Sequence, residues 1–582
     1  MAGILPDADA VTLLVRPCPD PKFGDYQTNA LMALAKQRKL NPRQLATDVL
    51  ARLDVQEWCE KVEIAGAGFL NFRLKPEAMA GALAAAARGE PLFFHKTAAP
   101  RTVVIDFSSP NVAKPMHVGH IRSTLLGDCL ARVLRLLGHR VITDNHIGDW
   151  GTQFGMLIIG WKTELDAGAL QADPLGELER IYKSISGRCE EAKPGFDPGL
   201  REQARAELVK LQSGDAGNRH IWEEILRLSQ AQFESVYTRL GVKFDHTLGE
   251  SFYNPQLGAT VDDLRARGVV TESDGAWCVF SDGSVPPKED PFLVQKDGEM
   301  APNPFVVLKR DGGFNYASTD LATLAYRMAT WDPAEIVYVT DGRQQLHFRQ
   351  LFSAFRRWRP ELAARVKLAH VWFGSILGED GKPFKTRAGE TVKLAGLLAE
   401  AEERALQVVN AKNPEAPEAE RREIARIVGL GAVKYADLLP NRQSDYVFSW
   451  DKMLALAGNT APYLLYAYAR VCGIQRKGGA ESASLLAGAG PLHLAAPDEL
   501  GLARQLLNFG LVLEAVAEEY RPNFLCNYLY ELSGAFARFY ESCPVLKAEG
   551  AEKRTRLLLC DLTGRVLRQG LNLLGIEVRD QM

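Results

Sequence analysis

The segment from Thr102 to His146 restricts the fold strongly, because its residue pattern changes from strand to helix and back to strand. TVVIDF at its start is β-branched and apolar, and the turn formers SSP follow it, as is typical of a buried strand. From Val118 to Leu136 apolar residues recur every three or four positions, and Gly138 stands where a helix ends. HRVITDNH then returns to a strand pattern. The segment therefore predicts a right-handed βαβ unit of a parallel sheet.

Two histidines, His117 and His120, lie where the loop of this unit becomes the helix. Ligands of such units bind beyond the carboxyl ends of the strands, where the N–H groups of the helix N-terminus attract anions. Gly119 between the histidines leaves room for a flat or phosphorylated group, and both imidazoles can donate hydrogen bonds to oxygens that gain charge. HxGH after a strand therefore predicts a nucleotide site. The alternative is a pair of surface or capping histidines.

A metal site is a weaker interpretation of the same residues. Histidines at positions i and i+3 can share a metal, and His146 could be a third ligand. No HExxH motif or further cysteine completes a ligand set in the sequence, so we expect no protein-bound metal.

The rest of the sequence predicts a multidomain protein. AEIVYVTD and KLAHVWFGSIL add buried strands to the parallel sheet, and the β pattern fades after Asn410. The expected domains are a small α/β domain at 1–96, a parallel-sheet domain at 101–385 with an insertion at about 157–290, a connecting helical region at 386–450 and an all-α domain at 451–582.

Composition excludes few functions here. A formal net charge of −3 rules out a chain that is basic throughout, but nucleic acid needs only a local basic face. The nine cysteines form no CxxC pair, which suits a reducing cytosol. The acidic N-terminus does not resemble a signal peptide, and AMAGALAAAA is too short to cross a bilayer. We expect a cytoplasmic protein without a membrane partner.

SSPNVAKPMHVGHIRSTLLGD closely resembles the nucleotide-binding signature of arginyl-tRNA synthetases, in which HVGH is the family version of the HIGH motif. NHIGDWGTQFG, GESFYN, FNYASTDLA, GKPFKTRAGETVKL and DLTGRVLRQGLNLLGIE are similar to further blocks of this family, and FGDYQTNA and GAGFLNFRL are similar to its N-terminal domain. The resemblance implies a multidomain α/β fold: a Rossmann-like parallel-sheet catalytic core with an insertion, a small α/β N-terminal domain that recognises the tRNA corner, and an all-α C-terminal anticodon-binding domain.

The resemblance also implies an activity, the ATP-dependent ligation of L-arginine to tRNA(Arg). Arginine would attack the α-phosphate of ATP, and a hydroxyl of the terminal adenosine would then attack the arginyl-adenylate, releasing AMP. ATP with Mg²⁺ is the implied cofactor, activation would require bound tRNA, and we expect a monomer. The implied ATP-binding residues are Pro110, Asn111, His117, Gly119 and His120.

The implied arginine-binding residues are Asp106, Asn111, Glu250, Tyr316, Asp320 and Gln344, with Gln345 as the alternative to the last. Carboxylates are what a guanidinium and an α-amino group need, and Asp106 in a buried strand would be costly without a partner. Alternatively, Asp320 caps a helix and Glu250 is a surface acid.

One motif departs from the family. Class relatives carry a KMSKS loop whose second lysine steadies pyrophosphate, whereas the corresponding region here reads GKPFKTRAG, a degenerate form common in bacterial members. The candidate catalytic cations are Lys114, Lys382, Lys385 and Arg387. The alternative is a solvated charged loop.

The implied tRNA-binding residues lie near both ends of the chain: Phe69, Asn71, Tyr468, Arg470 and Met582. Aromatic and arginine side chains stack on splayed bases, but Tyr463 and Tyr466 at helical spacing are expected in the core. Two rival functions stay open, a synthetase for another amino acid and a catalytically silent RNA-binding paralogue.

Overall fold

The structure is a computed structural model that describes residues 15–89, 91–384, 391–479 and 492–582. The chain divides into two compact units. The central unit comprises residues 97–454, and the terminal unit comprises residues 1–96 together with residues 455–582. The predicted domain bounds lie close to these divisions and stay predictions.

The N-terminal part of the terminal unit is a four-stranded antiparallel sheet with the strand order β1-β2-β4-β3 and three helices. Helices α1 and α2 pack on the sheet through Leu31, Leu45 and Leu70. A small α/β domain is therefore confirmed. The elements are β1 Arg16–Pro17, β2 Tyr26–Thr28, α1 Ala30–Arg38, α2 Pro42–Leu50, β3 Cys59–Ala65, β4 Phe69–Leu74 and α3 Pro76–Ala87.

The central unit is built on a four-stranded parallel sheet with the order β13-β12-β5-β6. Strand β5 (Thr102–Asp106), helix α4 (Val118–Leu136) and strand β6 (Arg140–Asp144) form the predicted βαβ unit, which is confirmed. The side chains of Val103, Val104 and Ile105 are fully buried, as their β-branched pattern predicts. The sheet ends at a loop-rich edge where β5 and β6 carry Asp106 and Asp144.

Helices and small antiparallel sheets separate the two halves of this sheet, as expected of an insertion. Strands β7, β8 and β11 form one small sheet, and β9 and β10 form a hairpin. These elements are α5 Gln153–Glu164, α6 Ala167–Ala172, α7 Pro174–Cys189, α8 Pro198–Gln212, α9 Ala216–Leu240, α10 Glu250–Tyr253, α11 Leu257–Ala266, β7 Thr271–Ser273, β8 Ala276–Val279, β9 Leu293–Lys296, β10 Glu299–Pro302 and β11 Phe305–Leu308.

The second half of the sheet follows a helix that packs on its core. Leu321, Leu324 and Met328 of α12 join the same hydrophobic cluster as Ile336 of β12. The remaining elements of the central unit are α12 Tyr316–Trp331, β12 Glu335–Tyr338, α13 Gln345–Trp358, α14 Pro360–Ala363, β13 Lys367–His370, β14 Ile376–Leu377, α15 Leu394–Lys412, α16 Glu418–Leu438, β15 Tyr446–Val447 and α17 Trp450–Met453.

The C-terminal part of the terminal unit is helical in the residues that the structure describes, so the predicted all-α region is confirmed. Its helices are α18 Ala461–Gly478, α19 Pro497–Leu507, α20 Phe509–Glu519, α21 Asn523–Ser542 and α22 Gly550–Leu573. Within this unit, Asp25 pairs with Arg504 at 2.7 Å, and the Tyr26 hydroxyl donates to Asn508 at 2.9 Å. Pro497–Glu519 is apolar enough by composition to cross a membrane, but the chain there breaks into two helices at Asn508.

A buried arginine on the first half of α4 connects this helix to the region around β14 and β15. Arg122 is 1% exposed; its Nη1 donates to the carbonyl oxygens of Gly374 at 2.8 Å and Ser444 at 3.1 Å. Its Nε lies 3.3 Å from Asp437 Oδ1 of α16. Burial raises the pKa of Asp437 and the Arg122 charge opposes that rise, so the two side chains depend on each other.

We expect Arg122→Met to lower the free energy of unfolding by about 3–5 kcal/mol, because it leaves a buried carboxylate without its counter-charge. The measurement is urea unfolding followed by circular dichroism. The double variant Arg122→Met with Asp437→Leu is the control, because replacing both charges by apolar groups should recover much of the loss. Equal midpoints for wild type and Arg122→Met would contradict this account.

Candidate active site

The two histidines of HVGH form a hydrogen-bonded pair at the N-terminus of α4. His117 is the N-cap, and its Nδ1 accepts a hydrogen bond from the Gly119 N–H at 3.0 Å. The His117 N–H in turn donates to Nδ1 of His120 at 3.0 Å. The two ring centroids lie 4.0 Å apart. The capping role that the sequence left as an alternative is therefore present, and it leaves Nε2 of both rings uninvolved in the cap.

The surroundings of both rings favour the neutral imidazole. Burial lowers the pKa of His117, and the charges of Arg343 and Lys114 lower it further. Burial and the neighbouring His117 lower the pKa of His120 to about 3. A neutral ring whose Nδ1 accepts a hydrogen bond must carry its proton on Nε2. His117 and His120 therefore present two Nε2–H donors at the end of the helix that favours anions.

The loop before these histidines has an unusual backbone conformation. Ser108, Ser109 and Ala113 have φ angles of 73°, 47° and 64°, in the left-handed region that non-glycine residues rarely adopt. Hydrogen bonds from neighbouring elements hold it: Ser108 N–H donates to Ser123 Oγ of α4 at 2.8 Å, and Ala113 N–H donates to Ser229 Oγ of α9 at 3.0 Å. These hydrogen bonds hold the loop in its left-handed conformation ahead of the N-terminus of α4.

The same loop meets the chain that follows β6. Gly148 N–H donates to the Pro110 carbonyl at 3.1 Å. Asn111 is exposed, and a Cβ at position 148 would lie 2.4 Å from its Oδ1, so a larger residue there would displace the Asn111 side chain. Pro110 and Asn111 thus lie beside the NHIGDWG segment, at the loop-rich edge of the sheet.

The predicted cations belong to two segments of the chain, the loop before α4 and the region after β14. Lys114 is exposed, with its Nζ 4.8 Å from the ring centroid of Tyr182. Lys382 is also exposed, in a turn closed by a 2.8 Å hydrogen bond from Gly378 N–H to its carbonyl. Lys385 and Arg387 lie outside the described residues. Beyond them, the chain returns to the histidines, since Val118 N–H donates to the Val392 carbonyl at 2.9 Å.

A buried arginine joins two carboxylates at the ends of β5 and β6. Arg327 of α12 is fully buried, and its Nη2 lies 2.7 Å from Oδ2 of Asp106 and 2.7 Å from Oδ2 of Asp144. The other oxygen of Asp106 accepts from Ser109 Oγ at 3.0 Å. Asp106 therefore has a counter-charge inside the protein, and its predicted contact with arginine stays a prediction.

Glu250 and Asp320 are the carboxylates without such a counter-charge. Among the described residues, no lysine or arginine pairs with either of them. Burial raises the pKa of Glu250 to about 7, and the nearby charges of Asp320 and Asp149 add to the rise while His146 opposes it. The alternative of Glu250 as a surface acid is wrong, because its carboxyl is partly buried beside other carboxylates.

Contacts with Asp149 explain the sequence Gly249-Glu250-Ser251 at the start of α10. Asp149 accepts hydrogen bonds from the N–H of Ser251 at 2.8 Å and from its hydroxyl at 2.7 Å. A Cβ at Gly249 would lie 2.3–2.5 Å from the Asp149 carboxyl group, so no larger residue fits. Asp149 therefore anchors the turn of helix that carries Glu250.

Asp320 does not cap its helix. The N-cap of α12 is Asn315, and Asp320 lies in the second turn, where its Oδ2 is 2.6 Å from Nε2 of His347. Tyr316 at the start of the helix is 59% exposed, with its ring 4.9 Å from the His347 ring. Sequence reasoning missed His347, because its partner lies on another helix and no local spacing connects them.

The two glutamines before α13 differ in their contacts. Gln345 Nε2 donates to the Gly342 carbonyl at 3.0 Å, whereas Gln344 is exposed at the end of a short 3₁₀ turn. The choice of Gln344 rather than Gln345 as an arginine-binding residue stays a prediction. Arg343 beside it is 88% exposed and is a further cation close to His117 that the sequence did not single out.

The RNA-binding candidates of the terminal unit are partly corrected. Tyr468 is only 4% exposed and donates its hydroxyl to Asp580 at 2.8 Å, so it has no face for a base. Tyr466, expected in the core, is 61% exposed. Arg470 is exposed, with its guanidinium 4.7 Å from the Tyr540 ring centroid.

The other RNA-binding candidates lie on a strand and at the chain end. Phe69 and Met582 are half-buried. Asn71 is 6% exposed, and its Oδ1 has no hydrogen-bond partner among the described residues.

Three families match the chain. Residues 84–450 match "tRNA synthetases class I (R), catalytic domain", residues 464–582 match "DALR anticodon binding domain", and residues 2–74 match "Arginyl tRNA synthetase N terminal domain". Among curated relatives, the arginine–tRNA ligase of Synechococcus elongatus is 47% identical over 590 residues, covering 100% of this chain and 97% of the relative. That of Hahella chejuensis is 47% identical, covering 98% and 96%.

Solved structures agree with these matches. The arginyl-tRNA synthetase of Thermus thermophilus superposes with a TM-score of 0.81 at 27% identity, covering 98% of this chain and 96% of that one. The corresponding protein of Plasmodium falciparum has a TM-score of 0.79 at 28% identity, covering 100% and 97%.

We expect Glu250→Gln to stabilise the protein at pH 8. The pKa of Glu250 is about 4.5 in the unfolded chain and about 7 in the folded protein. The free energy of unfolding therefore falls as pH rises between these values, and the whole loss is present above pH 7. The amide removes this loss, a gain of at most about 3 kcal/mol. Thermal unfolding from pH 5 to pH 8 measures it. Glu403→Gln, at an exposed site on α15, is the control, and an equal pH response of both variants would contradict the assignment.

Proposed function

Since the chain belongs to the arginyl-tRNA synthetase family, it ligates L-arginine to tRNA(Arg) with ATP through an arginyl-adenylate, and we propose which of its residues perform each step. The proposal rests on one observation. Two partly buried carboxylates, Glu250 and Asp320, have no lysine or arginine partner among the described residues, and the N-terminus of α4 carries two neutral imidazole donors.

In the first step, the arginine carboxylate attacks the α-phosphate of ATP and pyrophosphate leaves. His117 and His120 donate their Nε2–H groups to phosphate oxygens that gain charge, and the N-terminus of α4 adds its dipole. Neutral donors suit this role, because they are held in place before the reaction and need no proton transfer. Lys114 and Lys382, with Lys385 and Arg387, balance the charge of the pyrophosphate, and Arg343 is placed to assist.

ATP enters as its Mg²⁺ complex. Phosphate oxygens and water provide most ligands of Mg²⁺ in such substrates.

The substrate arginine binds where the uncompensated carboxylates meet. The charge of Asp320 raises the pKa of Glu250, and a cation between the two carboxylates relieves that rise, which favours the charged guanidinium or ammonium group. Asn111, Tyr316 and Gln344 supply exposed polar groups around this pocket. Asp106 contributes indirectly, since it orders Arg327 and Ser109 at the strand end.

In the second step, a hydroxyl of the terminal adenosine attacks the arginyl carbonyl and AMP leaves. The protein positions the reactants for this step. The terminal unit supplies the RNA contacts: Tyr466 and Arg470 for the anticodon loop, Phe69 and Asn71 for the tRNA corner, and Met582 at the chain end. We also propose a cytoplasmic monomer with the domain bounds stated above.

We expect His117→Ala and His120→Ala each to lower kcat for tRNA charging on the order of 10²-fold, as for other lost transition-state donors. Arginine-dependent charging of tRNA(Arg) measures this, and filter binding should find tRNA affinity retained. His117→Asn is the matched control, because its amide oxygen can still accept from Gly119 and keep the helix capped. Normal charging by both alanine variants would overturn the assignment of the histidines.

We expect Tyr466→Ala to raise the KM for tRNA about tenfold, which is the loss of one base stacked on an aromatic side chain. Tyr468→Phe is the matched variant on the same helix; it should leave the KM for tRNA unchanged and cost about 1 kcal/mol of stability from the lost hydrogen bond to Asp580. Charging kinetics and thermal unfolding separate the two effects. A raised KM for tRNA in Tyr468→Phe together with an unchanged KM in Tyr466→Ala would assign the contact to Tyr468 instead.

A further inference from the structure

His347 contacts the carboxylate that the proposed function assigns to substrate arginine. It lies in the first turn of α13, and its Nε2 is 2.6 Å from Oδ2 of Asp320 on α12. The imidazole is 16% exposed and Asp320 is 21% exposed. Phe305 and Phe348 enclose the ring, with centroids 5.5 Å and 5.3 Å away. The contact is therefore short and largely sheltered from solvent.

The hydrogen-bonding environment selects one form of this imidazole. Nδ1 of His347 is buried and has no hydrogen-bond partner among the described residues. A doubly protonated ring would bury an N–H donor there without an acceptor, which is costly. The other neutral tautomer would direct the Nε2 lone pair at the carboxylate. The neutral ring with its proton on Nε2 is the form that the structure accommodates.

We propose that His347 is a positioning residue for arginine recognition, because it holds the Asp320 carboxylate with an uncharged donor and so leaves the Asp320 charge for the substrate cation. This inference rests on the proposed function of Asp320. Arg327 provides the contrast within the same unit, since it gives Asp106 and Asp144 both a hydrogen bond and a positive charge. A carboxylate that must attract a substrate cation needs the bond without the charge.

A second contact connects His347 to the same pocket. The exposed ring of Tyr316 meets the His347 ring nearly edge-on, at 4.9 Å and 67°. Tyr316 and Asp320 are one turn apart on α12, so one imidazole orders both side chains that face the predicted arginine. The charge of Asp320 is also felt across the pocket, where it raises the pKa of Glu250.

Three substitutions at position 347 separate donor from charge. His347→Leu removes the donor and keeps an apolar side chain between Phe305 and Phe348; His347→Gln supplies a neutral donor; His347→Lys supplies a charged one. We expect His347→Leu to raise the KM for arginine more than about tenfold, the loss of a hydrogen bond to a charged group. His347→Gln should restore KM toward the wild-type value. His347→Lys should raise KM despite its donor, because its ammonium group compensates Asp320.

The KM values for arginine and for ATP are measured in tRNA charging at saturating tRNA, with thermal unfolding of each variant. The KM for ATP should stay unchanged throughout, which a general loss of structure would not produce. An unchanged KM for arginine in His347→Leu overturns the inference, as does wild-type behaviour of His347→Lys. If His347→Leu fails to fold, the comparison of His347→Gln with His347→Lys decides.

Asp320→Asn is measured in the same assays, because it tests the role of Asp320 separately from the role of His347. A raised KM for arginine in Asp320→Asn together with an unchanged KM in His347→Leu would reject His347 alone. An unchanged KM for arginine in Asp320→Asn would overturn the proposed role of Asp320 and the inference built on it.

Discussion

The buried ion cluster of Arg327 with Asp106 and Asp144 is the interaction on which the rest of the central unit depends. It joins the ends of two parallel strands to the helix that packs on the sheet. A fully buried guanidinium is acceptable only with partners of opposite charge, so these three side chains require one another. The cluster fixes the edge of the sheet where the loop with Ser109 begins, and thereby the position of everything that follows in the site.

The carboxylates around this cluster fall into two groups, those with an arginine partner and those without one. Asp106 and Asp144 pair with an internal arginine, whereas among the described residues Glu250 and Asp320 pair with no lysine or arginine. The raised pKa of Glu250 is the cost in stability of that arrangement. At the N-terminus of α4, His117 and His120 likewise offer hydrogen-bond donors that carry no charge. Under the proposed function, these groups are held in place before any substrate arrives.

Much of the fold could be predicted from local pattern. The βαβ unit follows from β-branched and helical periodicity within about forty residues, and HVGH marks the helix N-terminus because capping uses neighbours along the chain. Predictions that required knowing which face of a helix is covered were less secure. The exposures expected for Tyr466 and Tyr468 were reversed, because two positions on one helix differ in exposure only through the helices packed beside them.

The sequence by itself determined the parallel-sheet core, the helical C-terminal region, the family and most candidates for the site, since periodicity, caps and motif blocks act over short distances. Only the tertiary structure decided which carboxylates have an internal arginine as counter-charge. Arg327 lies 183 residues from Asp144 in the sequence, and His347 lies 27 residues from Asp320. No local sequence spacing therefore predicts either contact. Whether a carboxylate is compensated depends on what folding brings within about 3 Å of it, the reach of a hydrogen bond.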